Sequence, residues 1–337
     1  MNRQNRTVRR AVTTLAAAAL LAGAGTLPAA AAARCPAPAV ITGHAPTLVP
    51  ESAVWDQAHH RFLVGSLRHG TVSAVALDGS VRTLIDDPGT LTEIAGLRID
   101  RAHRRVLVTN LDNGIGERSG PATLGRLAGI AAYDLDTGRR LYYTDLAVVA
   151  ADGGSHLAND IAVAPDGTAY VTDSFAPVVY RVALDGTGSV LLRDDRLAPA
   201  PGAYGLNGIA YRDGRLLLGK WDDGTLWQLP LRDPAALRRV EIADGGALLH
   251  LDGISARPDG GLAGVTNAFF GAGRDAEVEL RSDDQWRTAR LAAVHPSADA
   301  TPTAVTTGPG GALYQLSGGL ADANAGHPGD TFTLRRV

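Results

Sequence analysis

Four side chains that carry oxygen stand at the start of short apolar runs far apart in the sequence. They are Glu51, Asn159, Asn207 and Asp252, and each precedes residues typical of a β-strand. Two carboxylates and two carboxamides, without cysteine or histidine, suit a hard cation, and their combined charge of about −2 matches Ca²⁺ or Mg²⁺. Ca²⁺ accepts an irregular ring with open positions better than Mg²⁺ does. We therefore expect one site for a divalent cation, with Ca²⁺ favoured over other divalent ions.

The four residues belong to a pattern that recurs six times in the chain. Each copy has a short apolar run, a Gly or Asp-Gly turn, and a second apolar run that ends in small polar residues. Successive copies begin 44 to 64 residues apart, which is the pitch of a four-stranded propeller blade. The pattern predicts an all-β, six-bladed β-propeller. The copies begin at Glu51, Ala95, Asn159, Asn207, Asp252 and Thr303.

The two ends of the chain predict how the ring closes. Only 35 residues run from Thr303 to Val337, too few for four strands, whereas an unassigned segment, PAVITGHAPTLV, precedes the first copy. We expect this N-terminal segment to supply the outer strand of the last blade. The innermost strand of every blade then borders a central channel, so that the residues at the start of the six copies form one ring. A Gly-rich insertion from Leu111 to about Gly129 is expected to form a surface or lid loop.

Residues 1–33 have the pattern of a signal peptide. Four arginines precede an uncharged run rich in Ala, Leu and Gly that ends in an Ala-x-Ala site, so we expect cleavage near Ala33 and secretion of one propeller domain over residues 34–337. Export by the twin-arginine route or by the general route stays open. Because four arginines and no acidic residue are lost, the formal charge falls from −3 to −7, which argues against nucleic acid and, after signal removal, a membrane as partners. Cys35 is the only cysteine, so no internal disulfide can form.

The residues at the ring positions resemble those of the senescence marker protein and gluconolactonase family. The segment Glu51-Ser52-Ala53-Val54-Trp55 is similar to the family's Glu before Pro-Val-Trp. The family's Asn-Asp, Asn-Gly and Asp-Gly pairs have counterparts in Asn159-Asp160, Asn207-Gly208 and Asp252-Gly253. The resemblance runs in order from about Pro50 to the end of the chain. It implies that Glu51 and the first residue of each pair bind Ca²⁺, and that Asp160 contacts substrate or takes part in catalysis.

The ring and the resemblance together predict a secreted, metal-dependent hydrolase of lactones or esters, similar to gluconolactonases. The ion is expected to polarise the substrate carbonyl while Asp252 or Asp160 orients or deprotonates the attacking water. His156 and His250 lie shortly before ring residues and are candidates to contact substrate. The expected partner is a small molecule, and a closed ring predicts a monomer because it leaves no free sheet edge.

Two other functions stay open at this point. The same ion could bind a phosphoryl oxygen in a phosphotriesterase-like hydrolase, since the family has diisopropyl fluorophosphatase as a more distant relative. Alternatively, the ion could be structural in a noncatalytic propeller whose loops bind a protein, a glycan or a small molecule. An open channel above the ion favours an enzyme, whereas a mouth closed by the insertion favours a binding protein. A covalent serine hydrolase is disfavoured, since no Ser, His and Asp set stands in an elbow sequence.

Overall fold

The structure, a computed structural model, describes residue 1 and residues 37–243, 248–271 and 273–337. The predicted signal peptide and Cys35 lie outside these residues, so cleavage near Ala33 stays a prediction. Residues 37–337 form one unit, and its described part is almost entirely β-structure. In the described part of the chain, no helix is long and apolar enough to cross a bilayer.

Six antiparallel sheets are arranged as a six-bladed β-propeller, as the repeats predict. From the innermost strand outward, blade 1 has β2 (Pro50–Asp56), β3 (Arg61–Ser66), β4 (Thr71–Val75) and β5 (Val81–Asp86), and blade 2 has β6 (Leu97–Asp100), β7 (Arg105–Leu111), β8 (Ala128–Asp134) and β9 (Arg140–Asp145). Blade 3 has β10 (Ala158–Val163), β11 (Ala169–Asp173), β12 (Val178–Val182) and β13 (Gly188–Arg193), and blade 4 has β14 (Leu206–Arg212), β15 (Arg215–Lys220), β16 (Leu226–Pro230) and β17 (Arg238–Arg239). Blade 5 has β19 (Leu251–Ala256), β20 (Leu262–Thr266), β21 (Ala276–Arg281) and β22 (Thr288–Pro296), and blade 6 has β23 (Pro302–Thr307), β24 (Leu313–Ser317), β25 (Thr331–Arg336) and, as its outermost strand, β1 (Val40–His44).

The remaining elements are short. A strand of two residues, β18 (Glu241–Ile242), pairs in parallel with the outer strand of blade 5. Helix α1 (Leu146–Ala150) follows blade 2, and helix α2 (Leu320–Asn324) lies between the last two strands of blade 6. Single turns of 3₁₀-helix occur at 195–197, 234–236 and 309–311.

The blades follow from apolar runs joined by tight turns. The hairpin of β14 and β15 shows the principle: Asp213 and Gly214 at its turn both have positive φ, 47° and 76°, as a two-residue hairpin turn requires. The second strands are continuous apolar runs, and in β3 five of six residues are buried. Such strands are covered on both faces because neighbouring blades pack against each other.

The ring closes through the N-terminal strand, which confirms the prediction made from the chain ends. Strand β1 pairs antiparallel with β25 as the outermost strand of blade 6. Ile41 of β1 and Phe332 of β25 are both 2% exposed and belong to the core between blades 6 and 1. The hydroxyl of Tyr314 donates to the carbonyl oxygen of Pro38 at 2.6 Å. The first and the last of the described strands therefore lie in one sheet.

A register irregularity marks the ring position in five of the six innermost strands. A β-bulge lets two consecutive residues point to the same side of a strand. In four of these strands the ring residue and the residue after it both border the channel, which the alternation of a regular strand would not allow. The irregularities lie at Pro50/Ser52, Ala158/Ile161, Leu206/Ile209, Leu251/Ile254 and Pro302/Ala304.

Glycines after two ring residues allow adjacent innermost strands to approach closely. A Cβ atom at Gly208 would collide with the carbonyl oxygen of Asp252, and one at Gly253 would lie 2.6 Å from that of Thr303. The Asn-Gly and Asp-Gly pairs therefore reflect strand packing around the channel rather than hairpin turns.

The insertion between β7 and β8 is an ordered loop over residues 112–127, inside the predicted bounds. The fully buried carboxylate of Glu93 accepts hydrogen bonds from the backbone N–H groups of Asn113, Gly114 and Gly116. Asp112 accepts further bonds from Ser119, Gly120 and Thr123. These bonds hold the base of the loop against blade 2.

Candidate active site

The four predicted metal ligands converge on one pocket. Glu51, Asn159, Asn207 and Asp252 are each the second residue of an innermost strand, and all four line the same open pocket. We call this the upper pocket; it has a volume of about 530 Å³ including its open mouth. A smaller space, the lower cavity, continues along the channel and shares Glu51, Asn159 and Asn207 with the upper pocket. Of the other ring residues, Ala95 lines the upper pocket and Thr303 the lower cavity.

The ring residues fit a cation, because the hydrogen bonds of Asp252 and Asn159 leave one oxygen of each of these two side chains available. Asp252 is 4% exposed; its Oδ2 accepts a hydrogen bond from Nδ2 of Asn267 at 2.7 Å, while its Oδ1 is buried without a partner among the described residues. Nδ2 of Asn159 donates to Oγ of Ser174 at 2.9 Å, which leaves the amide oxygen of Asn159 available. A buried carboxylate oxygen without a donor is costly unless a cation or a proton compensates it.

The carboxylates of the channel repel one another. Burial raises the pKa of Glu51 well above its usual range, and the charges of Asp252 and Asp160 raise it further. Burial also raises the pKa of Asp252 to about 7, although the hydrogen bond from Asn267 opposes the shift. Arg98 supplies one positive charge to this group. Because Arg98 and Asp160 neutralise each other, the negative charges of ionised Glu51 and Asp252 remain, and one divalent cation would balance them.

Asp160 lies in the lower cavity and is fully engaged. Its Oδ2 accepts bonds from Nη2 of Arg98 at 2.9 Å and from the backbone N–H of Ile209 at 3.3 Å. Its Oδ1 accepts a bond from the backbone N–H of Ile161 at 2.8 Å. Burial raises the pKa of Asp160, and the charge of Arg98 opposes the shift. Asp160 is thus beside the ring but on the side away from the upper pocket, and its role in catalysis stays a prediction.

His156 lies behind the ring in a buried network. The residue is 1% exposed, and its Nδ1 is 2.7 Å from Oδ2 of Asp173 while its Nε2 is 2.8 Å from Oδ1 of Asp152. The hydroxyl of Tyr180 donates to the same Oδ2 of Asp173 at 2.8 Å. Hydrogen bonding to Asp173 is the main cause that raises the pKa of His156. The structure does not place His156 among the residues that line the pocket.

His250 is also outside the pocket lining. Its ring stacks on Trp221 with centroids 3.8 Å apart and planes 3° apart, and its Nδ1 is 3.1 Å from the carbonyl oxygen of Asn267. Trp221 lines the upper pocket, and the side chain of Asn267 binds Asp252. His250 therefore supports two residues of the site. Its predicted contact with substrate is untested.

The wall of the upper pocket is mostly apolar. Leu111 and Ile115, at the start of the insertion, form one part of it, and α2 contributes Leu320 and Asn324. The insertion borders the open mouth without closing it. The other large wall side chains are Leu67, Leu157, Tyr204, Trp221 and Phe269.

From the sequence alone, the recurring residues at the ends of the second strands are interpreted as hairpin termini rather than as part of the site. Asp173-Ser174, Lys220-Trp221 and Thr266-Asn267 recur there and are typical of hairpin termini. In the structure, Ser174 and Asn267 orient ring residues and Trp221 lines the pocket, so the recurrence itself was the available signal. Lys220 is 4% exposed and pairs with both oxygens of Asp222 at 2.6 and 2.7 Å.

Solved structures match the fold over most of the chain, although no protein-family model and no curated protein matches the sequence. The allergen Mala s 1 of Malassezia sympodialis is 19% identical, with a TM-score of 0.72 over 89% of this chain and 96% of the allergen. A gluconolactonase from Xanthomonas campestris is 17% identical, with a TM-score of 0.55 over 88% and 89%. Regucalcin from Agrobacterium tumefaciens, a calcium-binding protein, is 16% identical, with a TM-score of 0.57 over 88% and 94%. These likenesses show the fold.

The resemblance stated from the ring motifs is confirmed as a likeness in structure to gluconolactonase and regucalcin. At these identities, activity, metal and substrate do not follow from a shared fold, because propellers carry many functions. They depend on the site itself.

Proposed function

We propose that this chain is a metal-dependent hydrolase of lactones or esters that holds Ca²⁺ at the ring of Glu51, Asn159, Asn207 and Asp252. The observation that supports it most is the unpartnered Oδ1 of Asp252 beside an open pocket, close to a second carboxylate with a raised pKa. Two neighbouring carboxylates in a buried channel are favourable in ionised form only with a cation beside them. The likeness in fold to a gluconolactonase and to a calcium-binding regucalcin agrees with the proposal.

The residues of the proposed site have different roles in hydrolysis. When bound, Ca²⁺ polarises a carbonyl and stabilises the negative charge that develops on its oxygen. Glu51 and Asp252 supply the negative charge of the site, and Asn159 supplies the amide oxygen that its bond to Ser174 leaves free. Asp252 is better placed than Asp160 to take a proton from water, because it lines the upper pocket while Asp160 holds Arg98.

The pocket wall favours a particular kind of substrate. Tyr204, Trp221 and Phe269 line the pocket with several leucines. Beyond the ring residues, the side-chain amides in its lining are those of Asn113 and Asn324. A lactone or ester with an apolar body buries more of its surface there than a sugar lactone does. We propose an apolar substrate for this reason.

A noncatalytic propeller is the second candidate. The same apolar wall would bind an apolar small molecule above a structural ion without any reaction. A phosphotriester is a third possible ligand, since the ion would bind a phosphoryl oxygen equally well.

The test combines metal binding with turnover. Ca²⁺ is titrated by calorimetry into the purified protein, into Asp252→Asn, and into Asp283→Asn as a control at an exposed acid between β21 and β22. The same samples are assayed with lactones and esters of increasing chain length and with phosphotriesters. We expect Ca²⁺-dependent turnover of apolar lactones or esters that Asp252→Asn lowers at least about 100-fold and Asp283→Asn leaves unchanged.

Each other outcome selects a different function. Binding without turnover selects the binding propeller, and faster phosphotriester hydrolysis selects the phosphotriesterase. No Ca²⁺ binding by the unmodified protein overturns the central site.

We also propose that the protein is secreted, works as a monomer and takes a small molecule as its partner. The charge pattern and the Ala-x-Ala site of residues 1–33 support secretion, and the closed ring supports a monomer. Sequencing the N-terminus of the exported protein and measuring its mass in solution test both points. A retained segment or a stable dimer contradicts them.

A further inference from the structure

A second group of metal-type ligands lies on the outer hairpin of blade 5, away from the ring residues. Glu277 of β21 is directly opposite His295 of β22, and Glu279 follows two residues later on the same face of the sheet. One ligand atom from each of the three residues lies within 4.8 Å of the others. Nε2 of His295 is 3.9 Å from Oε2 of Glu277.

Glu277 is the buried member of this group, and its carboxylate is not compensated by hydrogen bonds. It is 0% exposed, and neither of its carboxylate oxygens has a hydrogen-bond partner among the described residues. Its cross-strand neighbour Val265 packs with Val305 and Leu313 between blades 5 and 6, so the surroundings on that side are apolar. Burial raises the pKa of Glu277 to about 8, and the charge of Glu279 adds to the shift. A buried carboxylate left in this state opposes folding.

The nearby arginines compensate Glu277 only in part: the charge of Arg257 opposes the rise in the pKa of Glu277, but its guanidinium is directed at other carboxylates. Arg257 directs Nη1 to Oε1 of Glu279 at 2.5 Å and Nη2 to Oδ2 of Asp259 at 3.1 Å. Arg281 also binds Asp259, at 2.6 Å. Both arginines therefore pair directly with Glu279 and Asp259, and among the described residues no arginine or lysine forms a salt bridge with Glu277.

We propose that Glu277, Glu279 and His295 bind a divalent transition-metal ion, Zn²⁺ being the best match. One imidazole and two carboxylates, with water in a fourth position, form a donor set that Zn²⁺ accepts, whereas Ca²⁺ and Mg²⁺ take oxygen ligands. Ligands on a tetrahedral Zn²⁺ lie about 3.4 Å apart, so His295 and Glu277 need to move by only about half an ångström. His295 is 51% exposed, which gives an ion access from the surface.

Glu279 can take part without losing its arginine. A carboxylate has two oxygens, so one can remain with Arg257 while the other binds the metal. The ion would link the two strands of the outer hairpin and neutralise Glu277. The single cysteine of the chain excludes an internal disulfide, so a bound metal ion would provide a cross-link between strands that a disulfide cannot. This site is independent of the proposed hydrolase function.

The test is a Zn²⁺ titration of the metal-stripped full chain in excess Ca²⁺, which fills the central ring. The variants are His295→Ala and Glu277→Gln, with His327→Ala as a matched control at an exposed histidine in a loop. We expect the unmodified protein to bind one equivalent of Zn²⁺ and to melt at a higher temperature with it. Both site variants should weaken binding at least about tenfold, and the control should match the unmodified protein.

Two further measurements keep the result clear. Glu277→Gln keeps the shape of the side chain and removes its charge, so without Zn²⁺ it should be at least as stable as the unmodified protein. Asp252→Asn should keep the Zn²⁺ binding, because the ring is a separate site. The proposal is overturned if the unmodified protein binds no Zn²⁺, or if His295→Ala binds it equally well.

Discussion

The neighbours of the ring residues decide what each ring residue can do. Asn267 occupies one oxygen of Asp252 and leaves the other free, and Ser174 fixes the amide of Asn159. Arg98 comes from blade 2, which has alanine at the ring position, and it reaches into the lower cavity. Blade 2 thus contributes a cation to the channel instead of a ligand.

Breaking the pair of Arg98 and Asp160 tests this view. Arg98→Met is expected to lower the free energy of unfolding by about 2–4 kcal/mol, because it leaves the carboxylate of Asp160 buried without its cation. The double variant Arg98→Met with Asp160→Asn should cost less than Arg98→Met alone. Urea unfolding of the single and double variants measures both. Additive losses would show that the two side chains are not coupled.

The ring could be predicted from the sequence because its residues recur at fixed positions of a repeat. Asn207 and Asp252 each stand before glycine at the start of an apolar run, and no structure is needed to align them. The pairing of Arg98 with Asp160 could not be predicted, because it joins two blades across the channel. The bulges that turn Asp160 toward the channel leave no mark in a pattern of apolar residues.

At the level of elements, the loop that connects α1 to β10 is held in place by the hydrogen bonds of a buried histidine. His156 bridges Asp152 in this connection to Asp173 at the end of β11, and Tyr180 of β12 completes the network. The sequence places His156 three residues before Asn159, which suggested the channel mouth. The chain instead turns its side chain toward β11, because two carboxylates and a hydroxyl satisfy it there.

This network makes stability depend on pH. The folded protein raises the pKa of His156 above its usual 6.5, chiefly through the hydrogen bond to Asp173. The folded state therefore holds the proton more tightly than the unfolded chain. The resulting stability is fully present below pH 6.5 and is lost as the pH rises through the folded-state pKa.

We expect the unmodified protein to lose more stability between pH 6 and about 9 than His156→Gln does. Urea midpoints across this range measure the difference. His327→Gln, at an exposed position, should follow the unmodified protein. If the stability of the unmodified protein and that of His156→Gln change with pH in the same way, His156 has the same pKa in the folded and unfolded states, which contradicts the prediction.

At the level of the whole molecule, the fold depends on a strand from the far end of the chain. The repeat spacing predicted six blades, and the short last copy predicted that Val40–His44 completes the sixth. Exact strand ends were less predictable: blade 4 ends in a strand of only two residues, and β18 adds to blade 5 in parallel. Such additions depend on local hydrogen bonds rather than on the repeat.

Deleting β1 tests how much the closure contributes. A chain that begins at Ala45 loses five paired residues and the buried Ile41. We expect its free energy of unfolding to fall by at least about 3 kcal/mol and the protein to self-associate through the bare edge of β25. A chain that begins at Ala37 retains β1 and is the matched control. Urea unfolding and gel filtration give the comparison, and equal behaviour of the two chains would contradict it.

The closure also sets an order of events in time. The contact between Pro38 and Tyr314 spans 276 residues, and β25 is the last of the described strands in the sequence. The strands of blades 1 to 5 follow one another in sequence, but β1 has no partner in blade 6 until β25 has been made. Closure of the ring is therefore delayed until β25 has been made, and contacts between distant residues of this kind form slowly. Until then the ring stays open at the edge where β1 will pair.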